Sequence, residues 1–225
     1  MIETKGRILK VGTRPSSLAL KQVEEIQKLM PGLSFEVVKI QTLGDKDKLT
    51  QISEVEGSDF FTREIDQALF SGEIDLAIHS SKDLPDKLTQ GLVVFLETES
   101  RSAFDALVSR GDFKLLDLPT GYRIGSSSQR RKEQIKLLRP DLLIIDIRGT
   151  IEERLKLIET GKIDALIVAH AALIRLGLEE RIAEILPEEY FKAHSKQGSL
   201  SVVIKEQRWE ELKFILSEQA LATGS

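Results

Sequence analysis

Apolar positions along the chain alternate between short runs that suit buried strands and three- and four-residue spacings that suit helices. Arg7–Gly12 predicts a strand, and Ser16–Met30 a helix with Leu18, Val23, Ile26 and Leu29 as its inner stripe. Phe35–Gln41 predicts a second strand, and a helix over Phe61–Phe70 leads through a turn into a buried strand ending at His79. Leu92–Leu96 and Ala106–Val108 read as further strands. A second series then begins, with strand Tyr122–Gly125, helix Gln129–Leu138, strand Leu142–Ile147, helix Ile151–Glu159 and strand Ile163–Val168. A last helix, Arg208–Leu221, turns Trp209, Leu212, Ile215 and Leu216 inward. Strands alternating with helices predict an α/β fold with mixed, mostly parallel sheets.

The pattern also repeats. Ser71-Gly-Glu-Ile-Asp-Leu-Ala-Ile and Thr160-Gly-Lys-Ile-Asp-Ala-Leu-Ile, roughly ninety residues apart, each follow a helix and enter a strand. The echo reads either as chance likeness of two α/β units or as two similar domains facing across a cleft. At 225 residues the chain is long enough for one large domain or two small ones. Its formal net charge of −4 argues against a protein built to grip nucleic acid. With no cysteine and three histidines (His79, His170, His194), thiolate chemistry is excluded and a multi-histidine metal centre is not expected. No apolar run approaches the ~20 residues of a membrane span, and the first residues lack the apolar core of a signal peptide. A cytoplasmic protein is expected.

The candidate chemistry gathers after predicted strands. Arg14 and Ser16 follow the first, Lys82 and Asp83 follow the strand ending at His79, Ser126, Ser127, Ser128, Arg130 and Arg131 follow Gly125, and Arg148 follows Ile147. Ligands of open α/β sheets bind outside the carboxyl ends of the strands, near helix N-termini. Arg130, Arg131 and Arg154 are predicted in first helical turns, where a cation opposes the helix dipole at about 0.3–1 kcal/mol each unless an anion is there. An anionic ligand is the expected reason, and the planar guanidinium fork suits carboxylates. Each piece also has a plainer reading. Thr150-Ile-Glu-Glu153 fits a capping box, and the serines can cap a helix. Arg14 or Arg175 alone reads as a surface ion pair, His79 as a satisfied core residue, and Asp83 as a turn residue before Pro85.

His79-Ser-Ser-Lys-Asp-Leu-Pro85, Gly125-Ser-Ser-Ser-Gln-Arg-Arg131, Arg148-Gly-Thr-Ile-Glu-Glu-Arg-Leu155 and Arg175-Leu-Gly-Leu178 together resemble the porphobilinogen deaminases, or hydroxymethylbilane synthases. Val11-Gly-Thr-Arg-Pro-Ser-Ser-Leu-Ala-Leu20 and Lys196-Gln-Gly-Ser199 extend the resemblance over almost the whole chain, in order. It implies two domains like type II periplasmic binding proteins, 1–98 with 199–225 and 99–198, joined by two crossovers. It implies a transferase of tetrapyrrole (haem) biosynthesis that condenses four porphobilinogens head to tail with loss of ammonia. Asp83 would be the catalytic acid/base. Arg14, Ser16, Lys82, Ser126, Ser127, Ser128, Arg130, Arg131, Arg148, Gly149, Arg154, Arg175, Gln197 and Gly198 would bind carboxylates of substrate and cofactor.

The chain also departs from that family. The family's third, α+β domain, whose cysteine anchors a dipyrromethane by a thioether, is not expected in this chain, so dipyrromethane is expected only non-covalently if at all. Where the family often shows Gly-Lys-Gly-Leu-Phe, this chain has Gly57-Ser-Asp-Phe-Phe61. Leu43 stands where Arg is common, while Arg63 is retained. The expected partners are porphobilinogen and oligopyrrole intermediates, without nucleic acid, membrane or metal. A monomer is expected, unless a partner chain supplies the third domain. The alternative reading is a non-catalytic binding protein for oligopyrroles or other polycarboxylates.

Overall fold

The computed structural model describes residues 8–31, 33–47, 50 and 58–222. These fall into two compact units. The first comprises 8–31, 33–46, 58–98 and 200–222; the second comprises 99–199 with Asp47 and Thr50.

In the first unit, β1 (Ile8–Thr13), α1 (Ser17–Leu29), β2 (Ser34–Lys39), a short α2 (Leu43–Lys46), α3 (Arg63–Ser71), β3 (Leu76–Ser80) and β4 (Leu92–Glu97) follow in order. In the second come β5 (Asp105–Ser109), β6 (Arg123–Gly125), α4 (Gln129–Leu138), β7 (Leu143–Ile145), α5 (Ile151–Glu159), β8 (Ala165–Ala169), α6 (His170–Leu176) and β9 (Glu184–Leu186). The chain then returns to the first unit as β10 (Leu200–Lys205) and α7 (Trp209–Ala222). The sheets run β2-β1-β3-β10-β4 and β7-β6-β8-β5-β9. In each sheet one strand, β10 or β5, runs antiparallel to both neighbours, while the other pairings are parallel. The sheets are therefore mixed, as the sequence predicts. The crossings at 98–99 and 199–200 each lead into the reversed strand of the unit entered.

Side chains alternate across each sheet. On β10, Val202 and Ile204 enter one core with Val23 and Ile26 of α1 and Leu212 and Ile215 of α7, while Val203 enters another with Ile65 and Leu69 of α3. The second unit repeats this. Ile167 and Leu107 meet Ile135 of α4, while Leu166 and Val108 meet Leu155 and Ile158 of α5. Each sheet is thus covered on both faces, which is why its central strands are almost wholly apolar.

Helices α4 and α5 have the predicted bounds. On α1, Leu29 is 57% exposed rather than part of the inner stripe. It falls in the last turn, and Met30 just beyond fills the core instead. Four elements were not predicted: α2, α6, β9 and β10. Helix α6 is short and apolar, so it has no polar face to mark it, and β10 lies in a segment read only as the way back to the first unit.

The internal echo is structural. Asp75 precedes β3 and Asp164 precedes β8, and each carboxylate takes the backbone N–H of the neighbouring first strand, Lys10 at 2.8 Å and Arg123 at 3.0 Å. Each also takes an arginine that follows the reversed strand, Arg208 on Asp75 and Arg110 on Asp164. Asp164 additionally binds the Arg123 side chain, its Nε at 2.9 Å. Asp164→Ala removes every one of these acceptors at a buried site, and is expected to lower unfolding free energy by about 1–3 kcal/mol. Urea denaturation of the variant and the parent measures it.

Candidate active site

The first unit gathers its polar residues at the C-terminal ends of β1 and β3. Thr13 ends β1 and Arg14 and Ser16 follow it, His79 and Ser80 close β3, and Asp83 ends a single 3-10 turn, Ser81–Asp83. With Gln22 of α1 and Phe61 they line one pocket of about 50 Å³, room for a few water molecules or one small polar group. Gln22 Nε2 donates to Ser80 Oγ at 2.9 Å, tying α1 to β3. The turn is tied to β10 by the Ser81 and Ser201 hydroxyls, 2.8 Å apart. Lys82 is half-buried in the same turn, and Asp83 is exposed.

Arg14 is held on two sides. Its Nε donates to Asp45 Oδ1 at 3.0 Å, its Nη2 reaches the same oxygen, and its guanidinium lies 4.6 Å over the Phe61 ring. Asp45 Oδ2 accepts from Thr42 N–H at 3.0 Å and Thr42 Oγ1 at 2.9 Å. Burial pushes the Asp45 carboxyl up, but the Arg14 hydrogen bond and charge and the Thr42 donors outweigh it, holding it below the usual range. The ion-pair reading of Arg14 and its place in the pocket are therefore both true. Ser16 caps α1, its Oγ accepting from Ala19 N–H at 3.2 Å.

His79 is buried but not satisfied. Its Nε2 has no hydrogen-bond partner among the described residues, and neither does Thr13 Oγ1. Burial pushes the imidazole down to about 4; the Arg14 charge adds to this and the Asp83 charge opposes it. The ring is therefore uncharged at neutral pH.

In the second unit the Arg130 and Arg131 side chains meet at Asp105, the first residue of β5, which is fully buried. Arg131 donates to Asp105 Oδ1 from Nε at 3.1 Å and Nη2 at 2.5 Å, and Arg130 donates to Oδ2 from Nη2 at 2.7 Å. Gln197, also fully buried, donates to Asp105 Oδ1 and to the carbonyls of Ala103 and Phe104, each at 2.9 Å. Burial pushes the Asp105 carboxyl up, but the charge and hydrogen bonds of Arg131 and the contacts of Arg130 outweigh it, holding it at about 2. The anion that sequence reasoning required at the start of α4 is thus supplied within the chain. Proximity in sequence could not reveal it, because Asp105 arrives on the reversed strand.

The other cationic candidates meet neutral oxygens. Arg154 donates from Nε to Gly149 O at 2.8 Å and from Nη1 to Ser127 Oγ at 3.1 Å. Arg148 donates to Thr50 O at 2.5 Å and Asp47 O at 2.9 Å, and Arg175 to Gly198 O at 2.7 Å. Arg154 is the fourth residue of α5 and closes its first turn. That turn of α5 holds Glu152 and Glu153, and Glu153 closes a capping box with Thr150. Ser128 stands at the N-cap of α4 without a side-chain cap hydrogen bond. Ser126, one residue after Gly125 as Thr13 is after Gly12, likewise leaves a buried Oγ without a partner among the described residues. Gly57 lies outside the described residues. Among those described, no group of acidic, histidine or cysteine side chains could hold a metal ion, and no helix is long and apolar enough to cross a membrane.

Gly198 contributes backbone rather than a side chain. Its φ is +89°, and a Cβ there would lie 2.3 Å from Ser102 O. Gly198→Ala is expected to cost about 2–3 kcal/mol through the strained conformation and the backbone clash, measurable as a lowered Tm by calorimetry. Sequence reasoning missed Asp45 and Asp105 as partners of the arginines. The only signal available was an aspartate beside each predicted element, which is too common to single out.

The family profile described as "Porphobilinogen deaminase, dipyromethane cofactor binding domain" matches residues 9–213. The chain is 42% identical over 198 residues to the porphobilinogen deaminase of Geobacter metallireducens, covering 86% of this chain and 62% of the relative. It is 38% identical over 213 residues to that of Syntrophomonas wolfei, covering 93% of this chain and 70% of the relative. Among solved structures, a mutant OxyR2 regulatory domain of Vibrio vulnificus superimposes with a TM-score of 0.52 at 17% identity, covering 97% of this chain and 98% of that one. The ligand-binding component of a Staphylococcus aureus ABC-type import system gives 0.52 at 14% identity, covering 93% and 69%. At such identities these two speak for the fold alone, that of type II periplasmic binding proteins. On the family match and the sequence identities together, the chain belongs to the porphobilinogen deaminase family.

Proposed function

We propose that this chain carries the two α/β domains of a hydroxymethylbilane synthase, which joins four porphobilinogens head to tail. The observation that carries this reading is Asp83, an exposed carboxylate on a short turn that borders one pocket with Arg14, Ser16 and the uncharged His79, in a chain of this family. In each condensation the aminomethyl C–N bond of porphobilinogen breaks and ammonia leaves. A bond then forms from that methylene carbon to a free pyrrole α-carbon, which finally gives up its proton. Positive charge develops on the pyrrole as ammonia departs. Asp83 would stabilise that charge and manage protons at the pyrrole nitrogens, while Arg14 and Ser16 hold the acid side chains of the substrate.

The second unit's donors fit the carboxylates of a dipyrromethane. Arg130, Arg131, Arg148, Arg154 and Arg175 converge in sequence motifs with Ser126, Ser127, Ser128, Gly149, Gln197 and Gly198, and Ser126 Oγ is a buried hydroxyl without a partner among the described residues. Lys82, in the first unit, would bind an acid side chain of the substrate. When bound, dipyrromethane supplies the free pyrrole carbon at which elongation starts. None of the 225 residues is a cysteine, so what these residues themselves contribute to holding it would be ionic and hydrogen-bonded. The chain spans about 62% of the length of the Geobacter relative.

Purified protein incubated with porphobilinogen should release ammonia and yield uroporphyrin after acid oxidation. Release of neither would overturn the enzymatic reading. Ser58 and Asp59, in the segment where the family often carries a lysine, favour one alternative, a binder of oligopyrrole carboxylates without turnover. Saturable porphobilinogen binding with no ammonia released would support that second reading.

A further inference from the structure

We propose that Asp105 is a positioning residue for anion binding, fixing the planes of the Arg130 and Arg131 guanidiniums so that Arg130 presents its remaining donors to a ligand carboxylate. This rests on the carboxylate-binding reading of those arginines. Asp105 divides its two oxygens, Oδ1 taking Arg131 and Gln197 and Oδ2 taking Arg130. Its backbone is fixed by pairing with Ala169 on one side and Leu186 on the other, and the residue is fully buried. Arg131 is further pinned by Ile167 O at 3.4 Å and Gln197 Oε1 at 3.3 Å. Arg130 is more open. Of its five N–H groups, one meets Asp105 and one meets Lys192 O, and its side chain remains 26% accessible.

An ordinary electrostatic view gives the opposite expectation. Asp105 subtracts a negative charge from a site meant for anions, so removing that charge should tighten anion binding. Positioning predicts that binding weakens, because the arginine planes lose the acceptor that sets them and a neutral amide turns N–H groups toward them.

The test compares wild type with Asp105→Asn by calorimetric titration against two probes, porphobilinogen and the pyrrole-free tricarboxylate citrate, at low salt and at 0.5 M salt. The expected result is at least tenfold weaker binding of both probes by a variant whose circular dichroism and thermal transition show it folded. The loss should persist at high salt, where a long-range charge effect is screened. Equal or tighter binding by the variant would overturn the proposal, and so would a wild type that binds neither probe. A wild type that binds citrate but not porphobilinogen would overturn the proposed function, and the citrate comparison would still decide the positioning role. If Asp105→Asn does not fold, Arg130→Lys decides the matter. It keeps the charge and removes the fork, so at least tenfold weaker citrate binding is expected, and unchanged affinity would overturn the proposal.

Discussion

An Asp83→Ala variant should consume porphobilinogen more slowly than its parent by a factor on the order of 10²–10⁴, the range set by removing a positioned acid/base group. Its Tm should stay close to that of the parent. The side chain is exposed and outside the hydrophobic cores, where substitutions usually change stability by less than about 0.5 kcal/mol. Asp83→Asn keeps the shape and loses the charge, and should fall nearly as far, because the role assigned to Asp83 is electrostatic. Ammonia release measured at saturating porphobilinogen checks both variants. A variant retaining half the parental rate would remove Asp83 from the chemistry. Porphobilinogen affinity should change far less than rate, since Arg14 and Ser16 remain.

Asp105→Ala should be the most destabilising of the substitutions considered, by about 3–5 kcal/mol, because it strands two guanidiniums at a buried site. The same interaction sets a pH dependence. The Asp105 carboxyl is held at about 2 in the folded protein against an ordinary 3.8. Its folded value is depressed, so its contribution is fully present above about pH 4 and is lost as pH falls toward 2. The amount at stake is about 2 kcal/mol. It is smaller than the alanine effect because protonation leaves a hydrogen-bonding group in place while truncation leaves none. Urea midpoints of parent and variant between pH 5 and 2.5 should therefore converge on acidification. Parallel curves would show that Asp105 does not titrate with folding.

The fold was legible wherever periodicity and caps agreed. The bounds of α4 and α5 follow from residue type alone, with Thr150 and Glu153 marking one start and the apolar spacing of the other marking its length. The echo around Asp75 and Asp164 was visible because a helix end, a left-handed glycine turn and a buried strand recur together. What stayed hidden is what the reversed strands bring. Asp105 is local to neither arginine that it binds, and β10 is separated from β3 and β4 by the whole second unit. Sequence spacing carries no record of such neighbours. The arginine anomaly at the head of α4 was therefore real, while its nearest resolution is a carboxylate on β5. A ligand would be the second anion at that site.

The threading of the two units also bears on the order in which they are made. Synthesis delivers 99–199 as one uninterrupted run, whereas the first unit's sheet must wait for β10, which lies between β3 and β4. A nascent chain that has not yet emerged as far as residue 205 can complete the second sheet, but the first then has two open strand edges, the kind that invite mispairing. Slow translation or a stall before that point would expose those edges for longest. Newly made protein, rather than mature protein, is where aggregation and chaperone demand should concentrate.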